Sequence, residues 1–205
     1  MNIGNIISLG SIDKDPLQWT ILDIRRNKAL LLSNMAVDKR IYHERPGKTT
    51  WERCSLRRYL NNFFLIYAFS DAERRCIVST NLLNFPNPEY GTPGGHNTKD
   101  SIFLLSGSEY VEYFSYQRVS KFSDFWWLRS PGYRRDTALF VYADGSINQY
   151  LGTANSFRIA VRPALWLDME VYLNHDRNYF EKENDFCLTG LPDWTGLPDW
   201  TGLPD

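Results

Sequence analysis

The sequence has few cysteines, and they do not form a recognisable set. Cys54, Cys76 and Cys187 are odd in number, and none of them belongs to a Cys-x-x-Cys pair. A disulfide framework needs paired cysteines, and a zinc knuckle needs closely spaced ones. Neither is expected, and Cys54 and Cys76 are interpreted as ordinary buried thiols.

Net charge and long apolar runs are also lacking. The 23 lysines and arginines are balanced by 24 aspartates and glutamates, so no basic excess is available to bind a nucleic acid. The longest apolar runs, such as residues 29–32 and 102–105, are far shorter than the ~20 residues that cross a bilayer. Residues 1–7 lack the features of a secretory signal, so a cytoplasmic location is expected unless a dedicated system exports the chain.

Groups suited to catalysis are sparse. The three histidines, His43, His96 and His175, stand apart without the spacing of a metal site or a nucleophile-base pair. A carboxylate pair for hydrolysis could come from among Asp23, Asp100, Glu109 and Asp168, but the sequence does not give their separation in space. No catalytic residue, metal or cofactor is predicted, and a concealed hydrolase or oxidase site stays open as a lesser alternative.

Residues 189–205 repeat the hexad Thr-Gly-Leu-Pro-Asp-Trp. Each unit contains a glycine and a proline, which block a helix and weaken a strand. The predicted organisation is one domain over residues 1–170, an extension over 171–188 and a repeat tail outside the core over 189–205. A recruiting motif read through Trp194 and Trp200 is the alternative for the tail.

The first half of the domain alternates between strand and helix patterns. Residues 6–9, 19–24 and 28–33 predict two or three strands, joined by tight turns, in an opening meander. Apolar residues at helical spacing after Ser55 predict a helix to about Phe64, with Ser55 as its N-cap. Ser70 opens a second helix through a capping box with Glu73.

The next segments are a loop, a strand and a helix. Residues 81–99 hold three prolines and three glycines, which predicts a long loop and one candidate wall of a site. Residues 100–105 are predicted to form a buried strand. Ser106 and Glu109 then form a second capping box, which opens a helix toward Phe114.

The last third of the domain is predicted to form one antiparallel sheet. Its strands are residues 125–128, 138–142, 146–150 and 157–167. Asp144-Gly145 between the second and third predicts a type I′ hairpin turn, in which both central residues have positive φ.

Five motifs in this order carry a resemblance to a known family. They are Trp19-x-Ile21-Leu22, Trp51 with Ser55-Leu56-Arg57-x-x-Leu60-Asn61, Ile102-Phe103-Leu104-Leu105-Ser106-x-x-Glu109, Trp126-Trp127-Leu128-Arg129-Ser130-Pro131 and Val161-Arg162-Pro163-Ala164-Leu165. Together, over residues 3–167, they resemble a bacterial and phage family of uncharacterised domains that looks like a divergent branch of the C-type-lectin fold. The resemblance implies an α+β domain with two to three short helices and a twisted antiparallel sheet, whose loops on one side bind ligands or partner proteins.

The chain departs from two groups of proteins that share this resemblance. The formylglycine-generating oxidases need cysteines in the last strands, where this chain has none. Calcium-dependent lectins carry Glu-Pro-Asn or Gln-Pro-Asp and Trp-Asn-Asp triplets, which are absent here, and calcium needs several converging oxygen ligands. The resemblance therefore implies neither oxidase activity nor a calcium site.

Two arginines and two tryptophans occur in apolar strand contexts. Arg129 and Arg162 each precede a proline by one or two residues, and a permanent charge there must meet carboxylates or carbonyls. They are interpreted as structural, with anion binding as the alternative. Trp126 and Trp127 should point to opposite faces of a strand, so that Trp127 could reach the surface and contact a ligand.

Loops 132–136 and 148–156 are rich in Tyr, Arg, Asn, Ser and Gly, the mixture that adaptable binding surfaces favour. Alternatively, the two loops are polar connections between strands and bind no ligand. The candidate ligand-binding residues are Trp127, Tyr133, Arg134, Arg135, Asn148, Tyr150 and Asn155. The predicted function is a non-catalytic module that recognises a protein or a glycan, and the alternative is an assembly component of a phage or bacterial particle. The oligomeric state stays open.

Overall fold

The computed structural model describes residues 1–114, 124–148, 150, 153–155 and 157–174. It is an α+β fold in which mostly antiparallel, curled sheets are joined by a few short helices, which confirms the predicted class at this level. In the described ranges no helix is long and apolar enough to cross a membrane. The predicted extension beyond residue 174, the repeat tail, Cys187 and His175 lie outside the described residues, so the domain boundaries stay predictions.

The first sheet has the order β1-β2-β3-β12-β5. Its strands are β1 (Ile6–Ile12), β2 (Asp15–Arg25), β3 (Lys28–Ser33), β12 (Ala164–Asp168) and β5 (Ile77–Val78). The predicted meander of the first three strands is confirmed. Asp13 and Lys14, both at positive φ, make the two-residue turn between β1 and β2. A tight turn was predicted between these strands, but not its position, because neither residue is a glycine or an asparagine.

The second sheet has the order β10-β9-β8-β11-β4. Its strands are β10 (Ile147–Asn148), β9 (Ala138–Val141), β8 (Trp126–Pro131), β11 (Ile159–Val161) and β4 (Asp38–Arg40). The prediction of one antiparallel sheet for the last third is wrong in two respects. Strands β8 and β11 are parallel, and the predicted strand 157–167 is divided between the two sheets.

The division falls at Arg162-Pro163. Val161 ends β11 in the second sheet and Ala164 begins β12 in the first. Proline has no amide hydrogen to donate to a ladder, which suits a position between two sheets. The Pro163 carbonyl accepts a hydrogen bond from the Ser33 amide at 3.0 Å, so the crossing is fixed to the end of β3. A two-stranded sheet of β6 (Thr80–Leu82) and β7 (Thr98–Asp100) completes the strands.

The long helical segment is continuous but not uniform. It consists of α1 (Ser55–Arg58), a π-helical segment (Tyr59–Phe64) and α2 (Leu65–Ala68), preceded by a 3₁₀ turn (Trp51–Arg53). Ser55 was predicted to be the N-cap, but Cys54 occupies that position. The Cys54 sulfur accepts a hydrogen bond from the Arg57 amide at 3.3 Å. Both predicted capping boxes are confirmed, at the start of α3 (Asp71–Cys76) and of α4 (Gly107–Phe114).

Two local predictions are wrong. Residues 102–105 are buried but make only an isolated bridge, Phe103 to Ala164, because this segment passes between the two sheets and bonds to both. Its Leu105 carbonyl accepts from the Arg129 amide at 2.9 Å. In the turn between β9 and β10 only Gly145 has a positive φ, +87°, so the turn is not type I′.

Candidate ligand-binding face

Three tyrosines from three separate loops meet at one place on the surface. Tyr90 lies in the long loop after β6, Tyr133 follows β8 and Tyr150 follows β10. Their ring centroids are 6.3 Å apart for Tyr90 and Tyr133, 6.0 Å for Tyr90 and Tyr150, and 5.9 Å for Tyr133 and Tyr150. The Tyr90 and Tyr150 hydroxyl oxygens are 2.6 Å apart. We call these three residues the tyrosine cluster.

The tyrosine cluster is accessible from outside the protein. Tyr90 is 38% exposed and Tyr150 is 55% exposed. The Tyr90 hydroxyl also donates to the Glu89 carboxylate, and these hydrogen bonds, first to Glu89 and then to Tyr150, raise the pKa of Tyr90. Tyr90 therefore presents a neutral phenol at physiological pH.

A buried asparagine holds the loop that carries Tyr90. Asn87 is 2% exposed, and its side-chain oxygen accepts from the amides of Glu89 and Tyr90 at 2.9 and 3.1 Å. Its side-chain nitrogen donates to the Pro131 carbonyl at 3.0 Å. Because Pro131 ends β8, this one residue fixes the long loop to the second sheet.

A buried threonine holds the turn that carries Tyr133. The Thr137 hydroxyl donates to the Arg134 carbonyl at 2.8 Å and accepts from the Arg134 amide at 3.0 Å. The Tyr133 carbonyl in turn accepts from the Thr92 hydroxyl at 3.1 Å, which joins this turn to the long loop.

Asn148, one of the sequence-predicted contact residues, is buried and supports the third loop. Its side-chain oxygen accepts from the Tyr150 amide at 2.8 Å, and its side-chain nitrogen donates to the Tyr142 hydroxyl. Only 6% of the residue is exposed, so Asn148 is not presented at the surface as a contact residue would be. It positions Tyr150 instead.

The other predicted loop residues surround the tyrosine cluster or lie away from it. The Arg134 guanidinium is 5.0 Å from the Tyr133 ring centroid and pairs with Asp136 at 3.1 Å. Arg135 is exposed and lines a neighbouring depression. Asn155 is half-buried in a turn, next to an alanine whose backbone is bonded to Asp136 and His43.

Trp127 is not available to a ligand, and the expectation that it reaches the surface is wrong. Both Trp126 and Trp127 are 0% exposed because β8 is central in its sheet and covered on both faces. The Trp127 ring packs against Tyr42 and Phe140, with ring centroids 5.4 and 5.8 Å away. Its indole nitrogen donates to the Arg40 carbonyl at 2.9 Å.

Arg129 lies beneath the site and is paired with a carboxylate. Its guanidinium donates two hydrogen bonds to Glu109 and one, at 2.9 Å, to the Leu104 carbonyl. Burial alone would raise the pKa of Glu109, but the hydrogen bonds and charge of Arg129, with the bonds from Ser106, outweigh it and hold that pKa below its ordinary value.

Arg162 is bonded to backbone. Its guanidinium donates twice to the Ser33 carbonyl, at 3.0 and 2.8 Å, and lies 5.0 Å from the Trp126 ring centroid. Burial lowers the pKa of Arg162 to about 10. The side chain therefore joins the crossing segment at Pro163 to the first sheet.

An apolar groove runs beside the tyrosine cluster and was not predicted as such. It has a volume of about 550 Å³ and lies between the long loop, the start of α4 and the end of β8. The sequence indicated one wall, the loop over residues 81–99, but not the opposite one. Its apolar lining includes Leu83, Phe85, Pro86, Pro88, Val111 and Pro131. We call it the proline groove.

The four carboxylates considered for hydrolysis are engaged in separate contacts. Asp100 is fully buried and accepts from Trp51 at 2.9 Å and from Arg57 at 2.7 Å. Asp23 pairs with an exposed arginine, Glu109 with Arg129, and Asp168 accepts from two amides of the helical residues that follow it. Among the described residues no group of three or more His, Cys, Asp or Glu side chains is placed to hold a metal.

Comparison with known proteins gives one match. The model of a family described as a domain of unknown function (DUF6273) matches residues 26–169, which is more than half of the chain. This confirms the expectation of an uncharacterised domain family. Neither the curated proteins nor the solved structures contain a match to the chain.

Proposed function

We propose a function for this chain, which belongs to the DUF6273 family of domains of unknown function: it is a non-catalytic binding module that recognises a protein or a glycan. The observation that carries the proposal is the meeting of Tyr90, Tyr133 and Tyr150, from three loops, at one exposed point. Each loop is held by a buried polar side chain, so the rings are arranged before any partner arrives. Such preorganisation lowers the entropy lost on binding.

The geometry favours a protein surface over a sugar ring. The rings of Tyr90 and Tyr133, and of Tyr90 and Tyr150, meet at an interplanar angle of 77°, so they present edges and hydroxyls rather than one flat platform. Tyrosine next to arginine is the composition of protein-binding hot spots, and Arg134 lies against Tyr133. Glycan binding is the second outcome of the same test.

We further propose that the fold is a divergent C-type-lectin-like domain. The chain has the short helices and twisted antiparallel strands that the resemblance implies, and two members of its tyrosine cluster, Tyr133 and Tyr150, lie on loops that follow β8 and β10 of the second sheet. In related lectin-like domains that face binds ligands. An experimental structure that aligned with another fold class instead would remove this support.

The test compares the wild-type protein with a triple variant, Tyr90→Ser, Tyr133→Ser and Tyr150→Ser, on a glycan array and against partners captured by cross-linking. We expect a captured partner to bind the triple variant at least about 30-fold more weakly, since hot-spot truncation costs about 2 kcal/mol or more. Met35→Ser is the control, because Met35 is 70% exposed and belongs to neither the tyrosine cluster nor the proline groove. Equal binding by wild type and triple variant would reject the tyrosine cluster as the site.

A second candidate, a component of an assembly, is favoured by a different feature. Tyr59, Phe63 and Tyr67 stack along the helical segment with ring centroids 5.7 and 5.4 Å apart, and Phe63 is 57% exposed. Exposed aromatic rows of this kind mark association surfaces. Sedimentation should show self-association that Phe63→Ser abolishes, and a monomer at every concentration would reject this candidate.

A further inference from the structure

The proline groove continues into a depression of a different character. The depression has a volume of about 600 Å³ and shares Asn84, Pro86 and Gly94 with the groove. Its charged lining is mainly basic, from Lys48, Arg53 and Arg135, with His96 beside Glu52. The combined surface therefore offers an apolar half and an adjoining basic half.

The residue at the junction has an unused hydrogen-bond acceptor. The side-chain nitrogen of Asn84 donates to the His96 carbonyl at 2.8 Å. Its side-chain oxygen is buried and has no hydrogen-bond partner among the described residues. A buried acceptor without a partner is costly, so a donor from a bound segment would stabilise it.

The hexad repeat of this chain has the chemistry that matches both halves. The first two units place Leu-Pro and Trp, which are apolar, on either side of one aspartate, and the third ends at its aspartate. Residues 189–205 contain three aspartates and no lysine, arginine or histidine. Tryptophan also carries an indole N–H donor.

We propose that the proline groove binds the chain's own Leu-Pro-Asp-Trp repeat, with a tryptophan in the apolar half and the neighbouring aspartate in the basic half. The chain can reach the groove, because the 20 residues from Asn174 to Trp194 span up to about 65 Å when extended, while a domain of this size is about 40 Å across.

The test uses the full chain labelled with 5-fluorotryptophan and ¹⁹F NMR. Of the seven tryptophans, Trp194 and Trp200 are assigned by Trp→Phe replacement. We expect at least one of the two resonances to differ from that of a free Thr-Gly-Leu-Pro-Asp-Trp peptide. Val111 lines the groove and is 50% exposed, so Val111→Glu places a negative charge in the groove. This variant should return the shifted tryptophan resonance to the free-peptide position. Met35→Glu, at a residue 70% exposed outside the groove, should not.

A second measurement keeps the proposal testable if Val111→Glu does not fold. Amide hydrogen exchange over residues 83–97 should become severalfold faster in the Trp194→Ala/Trp200→Ala variant than in the wild type. Free-peptide resonances in the wild type, or unchanged exchange in this variant, would overturn the proposal. In sedimentation, a dimer that the tryptophan variant dissolves would overturn binding within one chain.

Discussion

At the scale of single residues, Glu109 performs two structural functions. Its carboxylate accepts from the Ser106 amide at 2.8 Å and so closes the capping box of α4. The same carboxylate accepts two hydrogen bonds from Arg129, whose side chain is only 4% exposed. The start of α4 and the end of β8, which form two sides of the proline groove, are therefore held together by one ion pair.

We expect Glu109→Gln to destabilise the protein at neutral pH by about 2–4 kcal/mol, because it leaves the buried charge of Arg129 without a counter-charge. The folded-state pKa of Glu109 is lowered, so its contribution is present above its unfolded pKa and is lost as pH falls through the folded pKa. Urea unfolding of the wild type and the variant from pH 7 to pH 3 should show that their difference in unfolding free energy decreases below about pH 4.5. A difference that stayed constant over this range would contradict the assignment.

The sequence indicated only part of this arrangement. The serine and glutamate spacing predicted the capping box, and the buried context of Arg129 predicted that its charge must be met. The identity of the partner was not predictable, because Glu109 and Arg129 are 20 residues apart and a fold must bring them together. For the same reason Asn148 and Asn155 could not be distinguished, since the full burial of one asparagine and the partial burial of the other depend on neighbouring strands.

At the scale of elements, the long loop between β6 and β7 is fixed by close backbone contacts as well as by Asn87. A Cβ added at Gly94 would lie 2.3 Å from the Asn84 carbonyl oxygen and 2.4 Å from that of Phe85. Backbone atoms at these distances cannot be moved without moving the loop. The loop that carries Tyr90 therefore has one tightly packed crossing point.

We expect Gly94→Ala to cost about 1–3 kcal/mol, as overpacking does, and to separate Tyr90 from Tyr150. Gly91→Ala is the control in the same loop, because its Cβ would meet nothing within 4 Å. Its positive φ of +64° limits the expected cost to about 1–2 kcal/mol. Thermal unfolding and the nuclear Overhauser contacts between the two tyrosine rings provide the measurement. If Gly94→Ala kept those contacts at full strength, the crossing point would not control the cluster.

Element types were predictable where the pattern was local, and less so where it was not. The meander, both capping boxes and the long loop were predicted from spacing within a few residues. The division of residues 157–167 between two sheets was not, because a continuous apolar run does not show which sheet each part joins. Pro163 was the one local signal of that break.

At the scale of the whole molecule, the last strands join the earlier ones. Strand β12 lies between β3 and β5, and β11 lies between β8 and β4. Leu165 and Leu31 are neighbours across the first sheet, and both are 0% exposed. Each sheet is therefore incomplete without residues that come more than 100 positions after its first strand.

We expect a chain truncated after Asn174 to unfold cooperatively, with its far-UV circular dichroism preserved. Truncation after Val161 should abolish cooperative unfolding, because β3 and β5 then lose the strand that pairs with both. Urea titration followed by circular dichroism distinguishes the two. A cooperative transition in the shorter protein would show that β12 is dispensable.

The Arg162-Pro163 crossing also has a consequence for the order of events during synthesis. The second sheet cannot close until β11 has left the ribosome, and the first cannot close until β12 has, so the earlier strands must wait with unpaired edges. Because unpaired strand edges pair readily with other chains, the interval before residues 159–168 emerge is the stage of synthesis at which aggregation threatens this fold most.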